Sequence, residues 1–317
     1  MALTTPDITA SVVRARLHGE KADIAGAAFR YLLIACMTIV LAALVALIAS
    51  VSGEGIEVLS TRGIGDFIQR PFSIRPQIAG VYQAIVGTVT CAVIVAIVAF
   101  PLGLASAIYL EEYASDNLFT RTIDIVIRNL AGVPAVVYGL LGFALFVTPL
   151  ELPFFTLSLN DITGGSSVLS AGLTLSILVL PIVVITSAEA IRAVPSNLRE
   201  GGFGVGATRW EVTRTLVLPN ALPGVLTGTI LGLARALGEA APLILIGAKT
   251  SGFSGGDPGD LTGEFNALPN LISEWSTLNP RQAWTGNTQA AIIVILVLVL
   301  GINAVGILLR NRFEKQK

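Results

Sequence analysis

Residues Leu32–Ala49 read LLIACMTIVLAALVALIA, eighteen consecutive positions without a charged side chain. About 20 apolar residues carry a helix across the ~30 Å hydrocarbon core of a bilayer. Arg30 and Glu54 enclose this run. Five more charge-free runs follow: Arg75 to Glu111, Arg128 to Glu151, Asp161 to Glu189, Arg214 to Arg235 with a continuation past Glu239 to Lys249, and Arg281 to Arg310. The last contains AAIIVILVLVLGINAVGILL at 290–309. The runs predict six transmembrane helices at about 31–51, 83–110, 127–149, 168–192, 220–247 and 288–309. Barrel strands would show short alternating segments, which are absent, so helices are the expected solution.

Composition agrees with an all-α integral membrane fold. Of 317 residues, 53% are hydrophobic and 13% charged, against roughly 25% charged in soluble domains. Mean hydropathy is +0.78. A net charge of −1 carries no basic surplus for nucleic acid. Two cysteines and one histidine leave little for a metal site or a disulfide framework. Cys36 and Cys91 fall in spans and read as small apolar side chains. His18 reads as a solvated tail residue. No residue is assigned a catalytic role, and no metal is expected.

Lysine and arginine set the orientation. With the N-terminus inside, fourteen of the twenty lie in inner segments and five in outer ones, and Arg235 sits within a span. The expected order is a cytoplasmic tail at 1–30, a six-helix domain at 31–310 and a cytoplasmic tail at 311–317, N-in and C-in. The first apolar run begins about 30 residues in and is too long for a signal-peptide core. Among the connections, 150–167 has no Lys or Arg, and 248–287 is a long extracytoplasmic loop that opens Gly-rich at SGFSGGDPGDLTG. Trp275 and Trp284 near its end suit a membrane-interface belt. No internal repeat is evident.

Two segments carry unusual chemistry. In GLARALGEAAPL, Arg235 and Glu239 lie near the middle of the fifth span. An intramembrane charge is costly and usually faces a bundle interior or an aqueous path with a partner. The i, i+4 spacing puts both side chains on one helix face. Either they form a structural ion pair, or Arg235 meets an anion in transit while Glu239 holds it in place. A guanidinium fork suits an oxyanion because it donates two hydrogen bonds at once. Gly224, Gly228, Gly232, Ala236 and Ala240 form a small-residue row that lets a neighbouring helix approach.

The second segment is the inner connection EAIRAVPSNLREGGFGVGATRWEVTRTLVLPNALPGVLTG, 189–228. Pro195-Ser196 offers a helix start, with Glu200 among its early residues. Gly201, Gly202, Gly204 and Gly206 are expected to interrupt that helix and permit a tight turn. A second short helix at roughly 208–216 then leads to Pro219. A helix–Gly–helix on the inner face is a shape for docking into a cleft on a soluble partner.

Glu200-Gly201-Gly202, then Gly206, then Leu216-Val217-Leu218-Pro219 resembles the EAA signature of ABC importer permeases, with two glycines where the family usually has alanines. Further segments are similar to the phosphate-specific permeases of that family: Gly87-Thr88, Pro101-Leu102-Gly103, Glu112-Tyr113-Ala114, Gly132-Val133-Pro134, Val137-Tyr138-Gly139-Leu140, Arg235 to Glu239, Ala241-Pro242-Leu243, and Ala267-Leu268-Pro269 through Trp275. The last two point to the PstA-type subunit. The resemblance covers about 72–313. It implies a type I ABC importer half-pore in a bacterial inner membrane, a transport subunit and not an enzyme. Its partners would be a PstC-type second permease, a PstB-type ATPase dimer and an extracytoplasmic PstS-type phosphate-binding protein. It implies that Arg235 and Glu239 lie on the phosphate path. It also implies that Glu200, Gly201, Gly202, Gly206 and Pro219, within a coupling loop at 196–218, engage the ATPase.

The chain carries no G-x-x-x-x-G-K-[ST] run, and Gly247-Ala248-Lys249-Thr250 has only its end. No cofactor is expected on this chain, and ATP and Mg²⁺ belong to the ATPase. Competing readings are a permease for sulfate, molybdate or phosphonate, a membrane-embedded transferase, and a channel or secondary carrier. The lone tail histidine disfavours the transferase, and the inner docking loop disfavours the channel.

Overall fold

The computed structural model describes residues 24–152, 155–157, 159–248 and 260–314. His18, most of the 1–30 tail, the Gly-rich 249–259 stretch with Lys249, and the end of the C-terminal tail lie outside the described residues. The chain divides into two compact units at Gly53. Helix α1 (Ile24–Arg62) makes up the described part of the first unit and supplies its last turns to the second. The second unit contains α2 (Ile64–Gln69), α3 (Tyr82–Ile108, extended by a π-helical turn at Tyr109–Tyr113), α4 (Leu118–Ala131) and α5 (Ala135–Gly142, extended by a π-helical turn at Phe143–Val147). A short antiparallel hairpin follows, β1 (Leu150–Leu152) on β2 (Phe155–Leu157), with Glu151 opposite Thr156. Then come α6 (Asn160–Thr163), α7 (Val168–Arg192), α8 (Ser196–Gly204), α9 (Arg209–Val212, with a π-helical turn at Thr213–Val217), α10 (Leu218–Gly238), α11 (Ala241–Ile246), α12 (Leu268–Trp275) and α13 (Arg281–Glu314).

Among the described residues, five helices are long and apolar enough to cross a membrane, and the bent pair α4–α5 makes a sixth candidate. The chain is therefore a multi-pass helical membrane protein. Two expected spans are corrected. The third, 127–149, is not one helix: α4 and α5 meet at 102°. Gly132 and Val133 end α4, and Pro134 takes an extended conformation ahead of α5. Proline has no N–H to donate and biases the residue before it away from the helical region. The fifth span, 220–247, ends at Gly238, because Glu239 is extended (ψ 113°) and α11 starts afresh with Pro242 in its first turn. At its other end, α9, the π-turn and α10 form one apolar helix from Arg209 to Gly238. The expected separate helix at 208–216 is thus the foot of the fifth span.

Helix α7 is the hub, packed by α3, α10, α5 and α4. The small-residue row of α10 faces it. A Cβ added at Gly224, Gly228 or Gly232 would stand 2.8 Å from Ala190 Cβ, 2.0 Å from Thr186 Oγ1 or 2.8 Å from Val179 Cγ1. Gly103 of α3 meets Val183 of the same helix in the same way. Small residues at such crossings let backbones approach where lipid supplies no hydrophobic drive between helices.

Two further clusters close the ends of the bundle. Near α8, Ala107, Ile191, Val212, Val217 and Val225 are buried together. At the other cluster, Leu59, Phe67, Trp275 and Trp284 pack with Ala290 and Ala291. Trp275 and Trp284 are 1% and 4% exposed, with ring centroids 5.4 Å apart. They are core residues, not the expected interface belt. Arg62 ties this cluster by donating to the carbonyls of Pro76 (3.1 Å) and Ala79 (2.7 Å) and to Asn287 Oδ1 (2.9 Å).

Gly228→Val is expected to lower the unfolding temperature in detergent, because overpacking a filled crossing costs about 1–3 kcal/mol. Gly301→Ala, where a Cβ meets nothing within 4 Å, should leave it unchanged or slightly raised. Thermal circular dichroism of the two proteins checks this.

Candidate functional site

The helix break at Glu239 sets the geometry of the intramembrane charge pair. Arg235 lies in the last turn of α10 and Glu239 is the first residue beyond it. The pair therefore sits at a helix end and not within an unbroken span. Arg235 Nε stands 3.5 Å from Glu239 Oε1, and the side chains are 48% and 24% exposed. A charge-assisted hydrogen bond runs ~2.7–2.9 Å, so this contact is loose. Leu231, Arg235 and Gly238 are exposed on α10, beside the buried row of Gly228, Gly232 and Ala236. Ala236 and Leu237 line a small apolar cavity with Thr88, Cys91, Val95 and Leu175. Arg235 is thus half-exposed at the edge of that packed row.

The motif segments scattered along the sequence meet in space. A Cβ at Gly87 would strike the Asn266 carbonyl, and Thr88 Oγ1 accepts the Leu268 N–H at 2.9 Å. Gly139 of α5 lies against Pro242 and Leu245 of α11. The two half-helices created by the two breaks therefore pack on each other. Cys91 is buried, as expected for a small apolar side chain, whereas Cys36, expected to be buried as well, is exposed on α1.

The segment around Glu200 forms the other candidate site. Helix α8 runs through Gly201 and Gly202 to Gly204, so these glycines do not interrupt it as expected. Gly202 is buried, and a Cβ there would lie 2.8 Å from Val212 Cγ2 and 2.9 Å from Leu216 Cδ1. Its role is close contact with the foot of the fifth span. Gly206 alone makes the turn, at φ +86°. Thr208 and Glu211 then form a capping box that starts α9. Glu200, Phe203, Val205 and Trp210 are exposed around this turn, and Pro219 is exposed further along the helix. The structure keeps this surface apart from the Arg235–Glu239 pair: α8 and α9 pack at the foot of the Arg209–Gly238 helix and the pair ends it.

One set of polar contacts is absent from the sequence reading. The π-turn Tyr109–Tyr113 ends α3 with consecutive acids. Glu111 pairs with Arg192 at the end of α7, its Oε2 accepting from Nε at 3.1 Å. Glu112 Oε1 accepts from Arg199 Nε at 3.0 Å and Nη2 at 2.8 Å. The same guanidinium donates to the Val194 and Ile191 carbonyls at 2.7 and 2.8 Å. Arg209 stands 5.8 Å over the Tyr113 ring. The available signal was two adjacent acids ending an apolar run, with arginines flanking the next inner segment.

Gly206→Ala should lower the unfolding temperature, since a left-handed conformation costs a residue with a Cβ about 1–2 kcal/mol. Gly204→Ala, with open space at its Cβ position, should not. Differential scanning fluorimetry of both variants distinguishes a conformational requirement from lost packing.

Residues 99–316 match the family described as "Binding-protein-dependent transport system inner membrane component". Similar proteins include the phosphate transport system permease PstA of Mycobacterium leprae, 36% identical over 72% of this chain and 69% of the relative. The probable ABC transporter permease YqgH of Bacillus subtilis is 34% identical over 70% and 71%. A phosphate transport system permease PstC of Xylella fastidiosa is 33% identical over 69% and 71%. Among solved structures, a bacterial alginate ABC transporter matches at TM-score 0.64 with 15% identity over 94% of each chain. The MetNI methionine ABC transporter in an inward-facing form matches at 0.50 with 19% identity, over 74% of this chain and 94% of that one. These likenesses identify the fold as that of type I ABC importer permeases. The chain belongs to the binding-protein-dependent transport system inner membrane components, a family of transport subunits.

Proposed function

We propose that this chain is the PstA-type permease of an ATP-driven phosphate importer in a bacterial inner membrane, forming half of the pore. The observation that carries the reading is the group of phosphate permeases among its relatives, at 33% to 36% identity across most of the six-helix region. The geometry of Arg235 supports it. A half-exposed guanidinium, loosely held by Glu239, has donors to offer an oxyanion. Broken helices within a membrane region are accommodated where they line a cavity or are covered by protein, and this pair sits at such a break.

The rest of the assembly follows from that reading. A PstC-type permease faces the exposed side of α10 and completes the pore. A PstB-type ATPase dimer, which holds ATP and Mg²⁺, takes the surface of Glu200, Phe203, Val205 and Trp210. A PstS-type protein delivers phosphate at the far side. The lysine and arginine bias supports an orientation with α8 and both termini on the cytoplasmic side.

In the assembled complex, Arg235→Ala is expected to abolish uptake of labelled phosphate while assembly persists. Normal uptake would sink the pore role. Glu200→Ala should weaken ATPase docking or uncouple it from transport, and intact assembly with normal uptake would remove that role. Uptake of sulfate, molybdate or phosphonate in place of phosphate would move the assignment to another oxyanion.

A further inference from the structure

The contacts between α3, α7 and α8 converge on one guanidinium. We propose that Arg199 is the joint that locks the coupling helix α8 to the ends of α3 and α7 as one rigid body. The inference rests on the reading of this chain as the permease of an ATP-driven importer. Arg199 belongs to α8, Glu112 to the end of α3, Ile191 to the last turn of α7 and Val194 to the link between α7 and α8. Four hydrogen bonds of 2.7–3.0 Å run from that guanidinium to the Glu112 carboxylate and to the Ile191 and Val194 carbonyls. The Glu112 side chain is 7% exposed and that of Arg199 22%, so water competes weakly for these bonds. The fork geometry is specific to arginine, since a lysine ammonium is a point donor without the planar spread.

The mechanical consequence is direct. A surface helix held only by its connecting residues would absorb a push from a soluble partner by bending the 193–195 link. With the guanidinium in place, that link cannot yield without breaking bonds at a shielded carboxylate. Displacement of α8 is then delivered to α3 and α7 together. Helix α7 carries the row of α10, whose far end holds Arg235. Arg199 is a positioning residue: it touches no substrate and acts through the helices it joins.

The test uses the complete complex, with the second permease, ATPase dimer and binding protein, in a Cys36→Ser, Cys91→Ala background. Spin labels at Asn197→Cys on α8 and Ala105→Cys on α3 report the distance between the two helices by pulsed electron resonance. The expected result is one distance with and without ATP when Arg199 is present, and an ATP-dependent shift in Arg199→Gln and Glu112→Gln. Phosphate moved per ATP hydrolysed should fall about tenfold in these variants, the scale of coupling effects from single substitutions, with Arg199→Lys intermediate. A distance that changes with ATP in the presence of Arg199 overturns the joint, as does an unchanged phosphate-to-ATP ratio in Arg199→Gln. Failure of all three variants to assemble also overturns it, because the contact would then be a folding element. ATP hydrolysis without phosphate uptake in the parent complex would reject the substrate reading alone, since the distance measurement does not involve phosphate.

Discussion

The close approach of α10 to α7 is the constraint on which the bundle depends. A lipid environment offers no hydrophobic drive to bring apolar helices together, so contact area and backbone proximity must do it. Three glycines at four-residue intervals place the α10 backbone against Ala190, Thr186 and Val179. That contact fixes which side of α10 is covered. Arg235, two turns beyond Gly228, stands on the exposed flank of that side. The glycines therefore set where the ion pair stands, with no charge chemistry of their own.

Two helix breaks complete the design. Pro134 turns α4 away from α5, and the Glu239–Ala240 break separates α10 from α11. Each break would leave backbone groups unsatisfied in hydrocarbon if it stood alone. Here the short helices that follow pack on each other, with Gly139 against Pro242 and Leu245. Several motifs that look like separate signatures along the chain are therefore the two sides of single contacts. Gly87-Thr88 and Ala267-Leu268 make another such pair.

At the α8 end the chemistry changes from apolar contact to shielded ion pairing. Glu111 and Glu112 are neighbours in a π-turn, yet they engage different arginines, one on α7 and one on α8. Adjacent side chains on a helical turn project in different directions, so consecutive acids serve two partners. The turn around Gly206 then presents an apolar surface beside Glu200, supported from beneath by Gly202 against Val212 and Leu216.

The amino-acid sequence by itself determined the helical membrane fold, the number of apolar runs, the i, i+4 spacing of Arg235 and Glu239, and the presence of a glycine turn after Glu200. These rest on local quantities: run length, charge spacing and the backbone freedom of single residues. Where the third and fifth runs break was decided only in three dimensions, because an apolar run has the same hydropathy whether it is one helix or two. The tryptophans near the end of the long loop were misplaced for a related reason. An aromatic residue suits an interface or a core equally well until its neighbours are known, and Phe67, Phe72 and Trp284 surround Trp275. Most plainly, Glu112 and Arg199 lie 87 positions apart, and an ion pair between them has no local signature. Only the packing of α3 and α7 brings the two together, which is why the most shielded ion pair among the described residues belongs to the tertiary structure and not to any motif.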